Sequence, residues 1–290
     1  MGSESIHSIV KPRQDGDGID VDGTPDSRHS HAVTVFHALA EYRRMDGPDL
    51  DGKTVLVTGS ARGVGRELLL ATADCGAATA VHYHTSADAA REVADQARER
   101  GAPAAMTVQA DVTDPDSVDG LFGAVEADLG DVDVLVNNVG DFAPARWDDL
   151  AVEEWTRVLE TNLTGTYLCS KRALPGMRAR ESGRIVNIGY ASSEQGLVSP
   201  KNFPYFVAKK GVLMFTRMLA ADTQDDGITV NAISPYVVEN SDEFPDELPR
   251  DRPASFEDLI APLYFFLDPD SDYISGENIE VDGGWLPEQV

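Results

Sequence analysis

Tyr205 and Lys209 lie four residues apart in Pro204-Tyr205-Phe206-Val207-Ala208-Lys209, and on a helix that spacing puts both on one face about one turn from each other. An ammonium beside a phenol favours the phenolate, so a tyrosine that ordinarily titrates near about 10 is drawn toward the working range of a proton donor or acceptor. Taken alone, such a pair is usually a surface contact. A second chemistry is offered by Gly59-Ser60-Ala61-Arg62-Gly63-Val64-Gly65, which follows the apolar run Thr54 to Thr58 and precedes the helical pattern Glu67 to Ala73. Unpaired backbone N–H groups and the helix dipole at such a junction favour a pyrophosphate, and glycines let it approach. Asn162 sits among Trp155, Val158, Leu159, Leu163 and Tyr167 at helical spacing, so its amide points partly into an apolar interface and must find partners there.

These groups need a scaffold. Beyond Lys53, short apolar runs alternate with longer helical patterns, which predicts βαβ units and a parallel sheet. The expected strands are Thr54 to Thr58, Thr79 to His84, Ala105 to Gln109, Val134 to Asn137, Arg184 to Ile188, Thr229 to Ile233 and Asn278 to Val281. Crossover helices are expected to start near Gly63, Ser86, Asp114, Ala151, Tyr205 and Ser255. The fold class is therefore α/β: a single doubly wound Rossmann-type domain, its seven-stranded parallel sheet flanked by helices, over residues 53–290. Residues 1–30 read as a flexible acidic tail, because Met1 to Asp26 has almost no large apolar residue to offset the entropy of ordering. Residues 31–52 read as an amphipathic helix, His31 to Met45, followed by a linker turn.

From Lys53 to about Trp285 the chain resembles the short-chain dehydrogenases/reductases. The likeness rests on the glycine turn, Asp111-Val112 after the third strand, Asn137-Asn138-Val139-Gly140 after the fourth, Asn162, Tyr205-Phe206-Val207-Ala208-Lys209, and the closing Val281-Asp282-Gly283-Gly284-Trp285. Each motif is common alone; their order at successive strand ends is not. The resemblance implies an oxidoreductase that moves hydride between a nicotinamide cofactor and a carbonyl or imine, with Tyr205 as proton donor, Lys209 also on the nicotinamide ribose, and Asn162 holding a proton-relay water. It implies cofactor contacts from Gly59, Ser60, Arg62, Gly63, Val64, Gly65, Asp111, Val112, Asn138, Val139, Gly140, Tyr205, Lys209, Pro235 and Val238, and a homotetramer. Within that family the chain resembles β-ketoacyl and related carbonyl reductases, with pteridine-type reduction as a nearby option. Enoyl reductases fit less well, since they typically place six residues between tyrosine and lysine, and this chain has three. A different class of answer is a catalytically weakened NADP-binding sensor or scaffold.

Cofactor choice is legible after the second strand, where His82-Tyr83-His84-Thr85-Ser86 carries no carboxylate before Asp88. An acidic residue there would bind the ribose hydroxyl of NAD, whereas Arg62, His84, Thr85 and Ser86 suit the extra phosphate of NADP. Thr85 and Ser86 would also serve as helix caps.

Two positions depart from the family pattern. The usual active-site serine falls on Tyr190 by strand alignment and on Ser192 by its spacing to Tyr205, and spacing favours Ser192. Pro235-Tyr236 stands where Pro-Gly is usual, which puts a large ring beside the nicotinamide site. Phe142, Trp147, Tyr190, Phe203 and Tyr236 are candidate pocket linings, and the segment Val237 to Arg252, where a substrate lid is usual, is short and acidic.

Composition excludes other classes. With 50 acidic against 24 basic residues and a net charge of -26, the chain repels nucleic acid and anionic lipid. The carboxylates are spread along the sequence and only six basic residues are lysine, a composition that resembles proteins of salt-accumulating halophiles. Molar KCl is expected to raise the melting temperature by screening carboxylate repulsion, and a flat salt response would refute that reading. The longest apolar run, Leu259 to Leu267, contains Pro262 and falls short of a membrane span. The N-terminus lacks the apolar stretch of a secretory signal, which points to the cytoplasm. Cys75 and Cys169 offer neither a disulfide framework nor a metal spacing, and no metal is expected, the histidines His29, His31 and His37 included.

Overall fold

Short runs of β-branched and aliphatic residues form seven strands: β1 (Thr54–Val57), β2 (Ala78–Tyr83), β3 (Ala105–Gln109), β4 (Val134–Asn137), β5 (Gly183–Ile188), β6 (Ile228–Pro235) and β7 (Asn278–Val281). The computed structural model describes residues 47–194, 201–241 and 244–285. The tail expected over residues 1–30 and the helix expected from His31 to Met45 lie outside them. All strands are parallel, in the order β3-β2-β1-β4-β5-β6-β7. The order reverses between β1 and β4, and in such sheets the crevice beyond the carboxyl ends at that reversal is where ligands bind.

Alternation along the strands explains the layers. Val55 and Val57 face one core with Val134, Val136 and Val186, while Leu56 faces the other with Leu135 and Ile185. The first core is covered by α1 (Gly63–Asp74), α2 (Ala87–Glu99) and α7 (Phe256–Leu267). The second is covered by α3 (Pro115–Asp128) and α5 (Gly165–Arg180), with part of α6 (Phe203–Asp222). A sheet buried on both faces accounts for the near-continuous apolar strands. Helix starts follow local chemistry. The Asp114 side chain caps α3, with Pro115 next to it, and Ser255 with Asp258 forms a reciprocal capping box on α7.

Two expectations shift. The helix that carries Tyr205 and Lys209 begins at Phe203 and not Tyr205, because Pro204 suits a first turn whose N–H groups are unpaired in any case. The helix expected to run through Asn162 is interrupted. After α4 (Val152–Leu159) comes a π-turn, Glu160–Thr164, closed by a bond from the Gly165 N–H to the Glu160 carbonyl, and helix then continues to Arg180 despite Pro175. Cys75 lies just past the end of α1, whereas Cys169 is buried within α5; both are free thiols.

Candidate active site

The glycine turn joins β1 to α1 and is held from beneath by a histidine. Gly59 and Gly63 take positive φ, of 66° and 55°, which disfavours a side chain. Gly65 is glycine for a different reason: a Cβ there would come within 2.4 Å of Asn138 Nδ2 and 2.7 Å of the Gly59 carbonyl. Asn138 needs that space, because its Nδ2 donates to the Thr58 carbonyl at 2.9 Å and so ties the ends of β1 and β4. The Gly59 N–H donates to His82 Nδ1 at 2.9 Å, which places the proton on His82 Nε2, 3.2 Å from the Ala110 carbonyl. His82 is buried, and burial lowers its pKa to about 4, so the neutral ring prevails near neutrality.

A cleft of about 760 Å³ opens above this turn. It is lined by Gly59, Arg62, Gly63 and Val64 of the turn, His84, Thr85 and Ser86 after β2, and Asp111 and Val112 after β3. Asn138, Val139 and Gly140 after β4 complete the expected contacts that face it. The remaining expected cofactor residues stand elsewhere. Ser60 is fully buried, its Oγ accepting the His82 N–H at 3.1 Å, and Gly65 packs under Asn138. Pro235 ends β6 with its carbonyl on the Ala191 N–H, and Val238 packs into the first core. Tyr205 and Lys209 do not line the cleft.

The cleft also takes residues that sequence reasoning missed, among them Asp141, Arg157, Glu160, Thr161 and Asn240. The Asp141 carboxylate pairs with the Arg157 guanidinium and accepts the Phe142 N–H at 2.8 Å, so it stiffens the loop after β4. The charge pairing of Asp141 with Arg157 was the signal available, but their separation along the chain matches no helical or strand period. Asp111 accepts the Thr113 hydroxyl and N–H, and these bonds hold its carboxyl below the usual range.

The π-turn brings Asn162 inward. Its Nδ2 donates to the carbonyls of Asp141 at 2.6 Å and Val158 at 2.9 Å, while its buried Oδ1 has no protein partner. Lys209 is buried on α6 and donates to the Ile188 carbonyl at 2.8 Å. A Cβ on Gly140 would approach Asn162 Oδ1 at 2.8 Å and Lys209 Nζ at 3.4 Å, so these two groups flank the loop that also lines the cleft. The ammonium lies 5.6 Å from the centre of the Tyr205 ring.

Electrostatics correct one expectation. Burial pushes the Tyr205 phenol up rather than down, and it lowers the Lys209 ammonium to about 8. Desolvation of both groups outweighs their attraction here, since the charged form of each loses water. A further buried chain, Ser170 and Asn187 on Asn137 with Asn187 in turn on Thr216, spans β4, β5, α5 and α6.

The two candidates for the serine role separate clearly in position. The Tyr190 ring stands edge-on to Tyr205, with centroids 5.5 Å apart at 75°. Ser192 is buried at positive φ, and its N–H donates to Glu280 Oε1 at 2.7 Å. Tyr236 lies 6.2 Å from Tyr190 and stacks on Trp285 at 3.8 Å.

The residues present fit a dinucleotide. A backbone-lined crevice lies at the sheet's reversal, glycines stand where side chains would obstruct, and an unpartnered buried acceptor flanks its inner end. Comparison with known proteins agrees. A family model described as enoyl-(acyl carrier protein) reductase matches residues 59–286. The 3-oxoacyl-[acyl-carrier-protein] reductase FabG of Vibrio cholerae is 32% identical over 246 residues, covering 81% of this chain and 98% of that one. A short-chain type dehydrogenase/reductase from Mycobacterium marinum superposes with a TM-score of 0.76 at 29% identity, over 82% of this chain and 97% of that one. A gluconate 5-dehydrogenase from Burkholderia cenocepacia, solved with NADP and tartrate, gives 0.75 at 30% identity over 81% and 95%. With the glycine turn, the asparagine of the π-turn and the Tyr205–Lys209 helix at the ends of a seven-stranded parallel sheet, this chain belongs to the short-chain dehydrogenase/reductase family and is an oxidoreductase that uses a nicotinamide cofactor.

Proposed function

We propose that the protein reduces a carbonyl group with NADPH, Tyr205 supplying the proton. The observation that carries this reading is the grouping of Tyr205, Lys209 and the free Oδ1 of Asn162 around the loop that forms the inner end of the cofactor cleft. Bound there, the nicotinamide would supply hydride to the carbonyl carbon. Tyr205 donates its phenolic proton to the carbonyl oxygen, and Lys209, held by the Ile188 carbonyl, keeps a positive charge beside the phenolate that forms. Asn162 Oδ1 accepts from a water that returns the proton through Lys209. Tyr190, whose ring abuts Tyr205, is better placed than Ser192 to offer a second hydroxyl to the substrate oxygen. An imine in place of the carbonyl would need the same groups.

The choice of NADP rests on the outer end of the cleft. Arg62 has no hydrogen bond or ion pair among the described residues, and Ser86 begins α2 without using its hydroxyl as a cap. Both line the cleft beside His84 and Thr85. Arg62→Ala is expected to weaken NADPH binding by about 1.5 to 3 kcal/mol, the worth of a hydrogen bond to a charged group, and to leave NADH nearly unchanged. Titrating both cofactors against both proteins checks this, and equal affinities in the unaltered protein would refute it.

Self-association fits the surface. Val207, Met214 and Met218 are exposed along one stripe of α6, with Tyr167 exposed on α5, and a second copy would cover them as part of a homotetramer. Among the described residues no helix is long and apolar enough to cross a membrane, in keeping with a cytoplasmic enzyme. NADPH oxidation on adding a ketone, lost in Tyr205→Phe, is the test of the whole reading.

A further inference from the structure

Tyr190 and Tyr236 occupy the two places where the sequence departs from the family pattern, and their rings meet at 6.2 Å. The backbone makes them neighbours. The Gly189 N–H donates to the Ile233 carbonyl at 2.8 Å and the Ala191 N–H to the Pro235 carbonyl at 3.0 Å, so the pairing of β5 with β6 runs on past the end of β5. The Tyr236 N–H donates to the Val281 carbonyl at 3.2 Å, which ties that residue to β7. Burial first, then the nearby phenols of Tyr205 and Tyr236, push the Tyr190 phenol up, so it stays an uncharged donor near neutrality.

A tyrosine hydroxyl stands far from its own backbone, so a small change in χ1 moves it a long way, and it can serve a reacting atom only if the ring is held. Among the described residues the rings against Tyr190 are Tyr205, Phe206 and Tyr236, and Tyr236 is the one that α6 does not carry. That ring is itself braced. Asp282-Gly283-Gly284-Trp285 forms a turn closed by the Trp285 N–H on the Asp282 carbonyl at 3.2 Å, and its two central glycines take φ of 67° and 89°. Positive φ at both central positions reverses the chain tightly, and the Trp285 ring lies on Tyr236 with centroids 3.8 Å and planes 13° apart. Asp282 Oδ1 accepts the Gly284 N–H at 2.9 Å and Arg250 Nε donates to the Gly283 carbonyl at 3.3 Å, so the turn is fastened from two directions. Tyr236 accordingly lines a second cavity, of about 380 Å³, with Gly283 and Gly284, and does not line the cofactor cleft.

We infer that Tyr236, braced by Trp285, is a positioning residue that holds the Tyr190 ring against Tyr205 and so brings the Tyr190 hydroxyl to the substrate oxygen. This rests on the reading above that Tyr190 offers the second hydroxyl there. Tyr236 acts through its ring and not through its own hydroxyl. The two aromatic departures are then one device: a long side chain at 190 reaches the reacting atoms, and a large one at 236 keeps it aimed.

The test uses the full chain in molar KCl with NADPH and either ethyl acetoacetate or acetoacetyl-CoA, together with a crystal structure of Tyr236→Ala. Tyr190→Phe is expected to lower kcat/KM for the ketone roughly 2- to 10-fold, the worth of one neutral hydrogen bond. Tyr236→Ala is expected to match that loss with the KM for NADPH little changed, and Tyr236→Phe, which keeps the ring, to restore the rate. Trp285→Ala leaves Tyr236 present but unbraced; it is expected to lose rate in the same direction and stands in should Tyr236→Ala not fold. The deciding comparison is the double variant Tyr190→Phe with Tyr236→Ala, expected to be no slower than Tyr190→Phe alone, since no hydroxyl is left to position. Losses that multiply in the double variant overturn the inference and leave Tyr236 a packing residue. So does a Tyr236→Ala variant at full rate, or one no slower than Tyr236→Phe. Tyr190→Phe at full rate overturns instead the reading of Tyr190 as a second donor, and the inference falls with it. If neither ketone is turned over, the reductase reading fails and the crystal structure decides: Tyr190 displaced from Tyr205 upholds the positioning role, and Tyr190 unmoved overturns it.

Discussion

Tyr205→Phe is expected to lower turnover by roughly 10²- to 10⁴-fold, the usual contribution of a positioned general acid. The change removes one oxygen and keeps the ring that packs against Phe142, Tyr190 and Phe206, so NADPH affinity and thermal stability should stay close to those of the unaltered protein. Steady-state kinetics together with cofactor titration separate these effects. Retention of most activity would move the proton donor elsewhere, with Tyr190 the next candidate. The same site carries a pH signature. Burial lowers the Lys209 ammonium to about 8, and if its charged form supports the phenolate left on Tyr205, as proposed, kcat for reduction should fall as pH rises through about 8. A rate flat across that range would detach Lys209 from the chemistry.

A second large effect resides in His82, remote from the reacting atoms. Its folded pKa is lowered to about 4 from a reference of 6.5, chiefly by burial, with the His84 charge acting in the same direction and the Ala110 carbonyl and Asp111 opposing. Above pH 6.5 the ring is neutral whether the chain is folded or not, and its contribution to stability is fully present. As pH falls from 6.5 toward 4 the unfolded chain takes up a proton that the folded chain refuses, and stability declines by about 3 kcal/mol. Carboxylates titrate over part of the same range, so the measurement is a difference. Denaturant unfolding of the unaltered protein and of His82→Gln, followed across this range, should show a gap that changes by about 3 kcal/mol. Glutamine can accept the Gly59 N–H but does not titrate, and a gap constant with pH would remove His82 as the cause.

What the sequence made legible was mostly what depends on period and order. β3, β4 and β7 fall on the expected residues, and the other strands differ only at their ends, where β6 gains residues through to Pro235. The glycine turn, Asp111 and Asn138 could be placed because they sit where a strand stops, a position that the apolar pattern itself marks. What failed was direction. Ser60 belongs to the glycine turn by sequence, yet whether its hydroxyl faces a ligand or β2 depends on His82, twenty-two residues away. Spacing to the helix favours Ser192 in the serine role, although alignment to the strand points to Tyr190. Contact with Tyr205 across the sheet ends is a tertiary fact that neither rule contains. The mutual effect of Tyr205 and Lys209 was misjudged for a related reason, since spacing reports proximity but not the loss of water from both groups.

The π-turn at Glu160–Thr164 has a meaning in the gene as well as in the fold. A π-turn holds one residue more than the α-helix it interrupts, and the helices on either side keep the register they would have without it. Losing one codon there would let α4 and α5 join as a continuous helix while the Asn162 amide lost its seat between Asp141 and Val158. The amide's inward presentation is thus separable from the helix that bears it, so an insertion of one residue into a plain helix would be a short path by which such a site could arise, and its deletion an equally short path by which the site could fall silent.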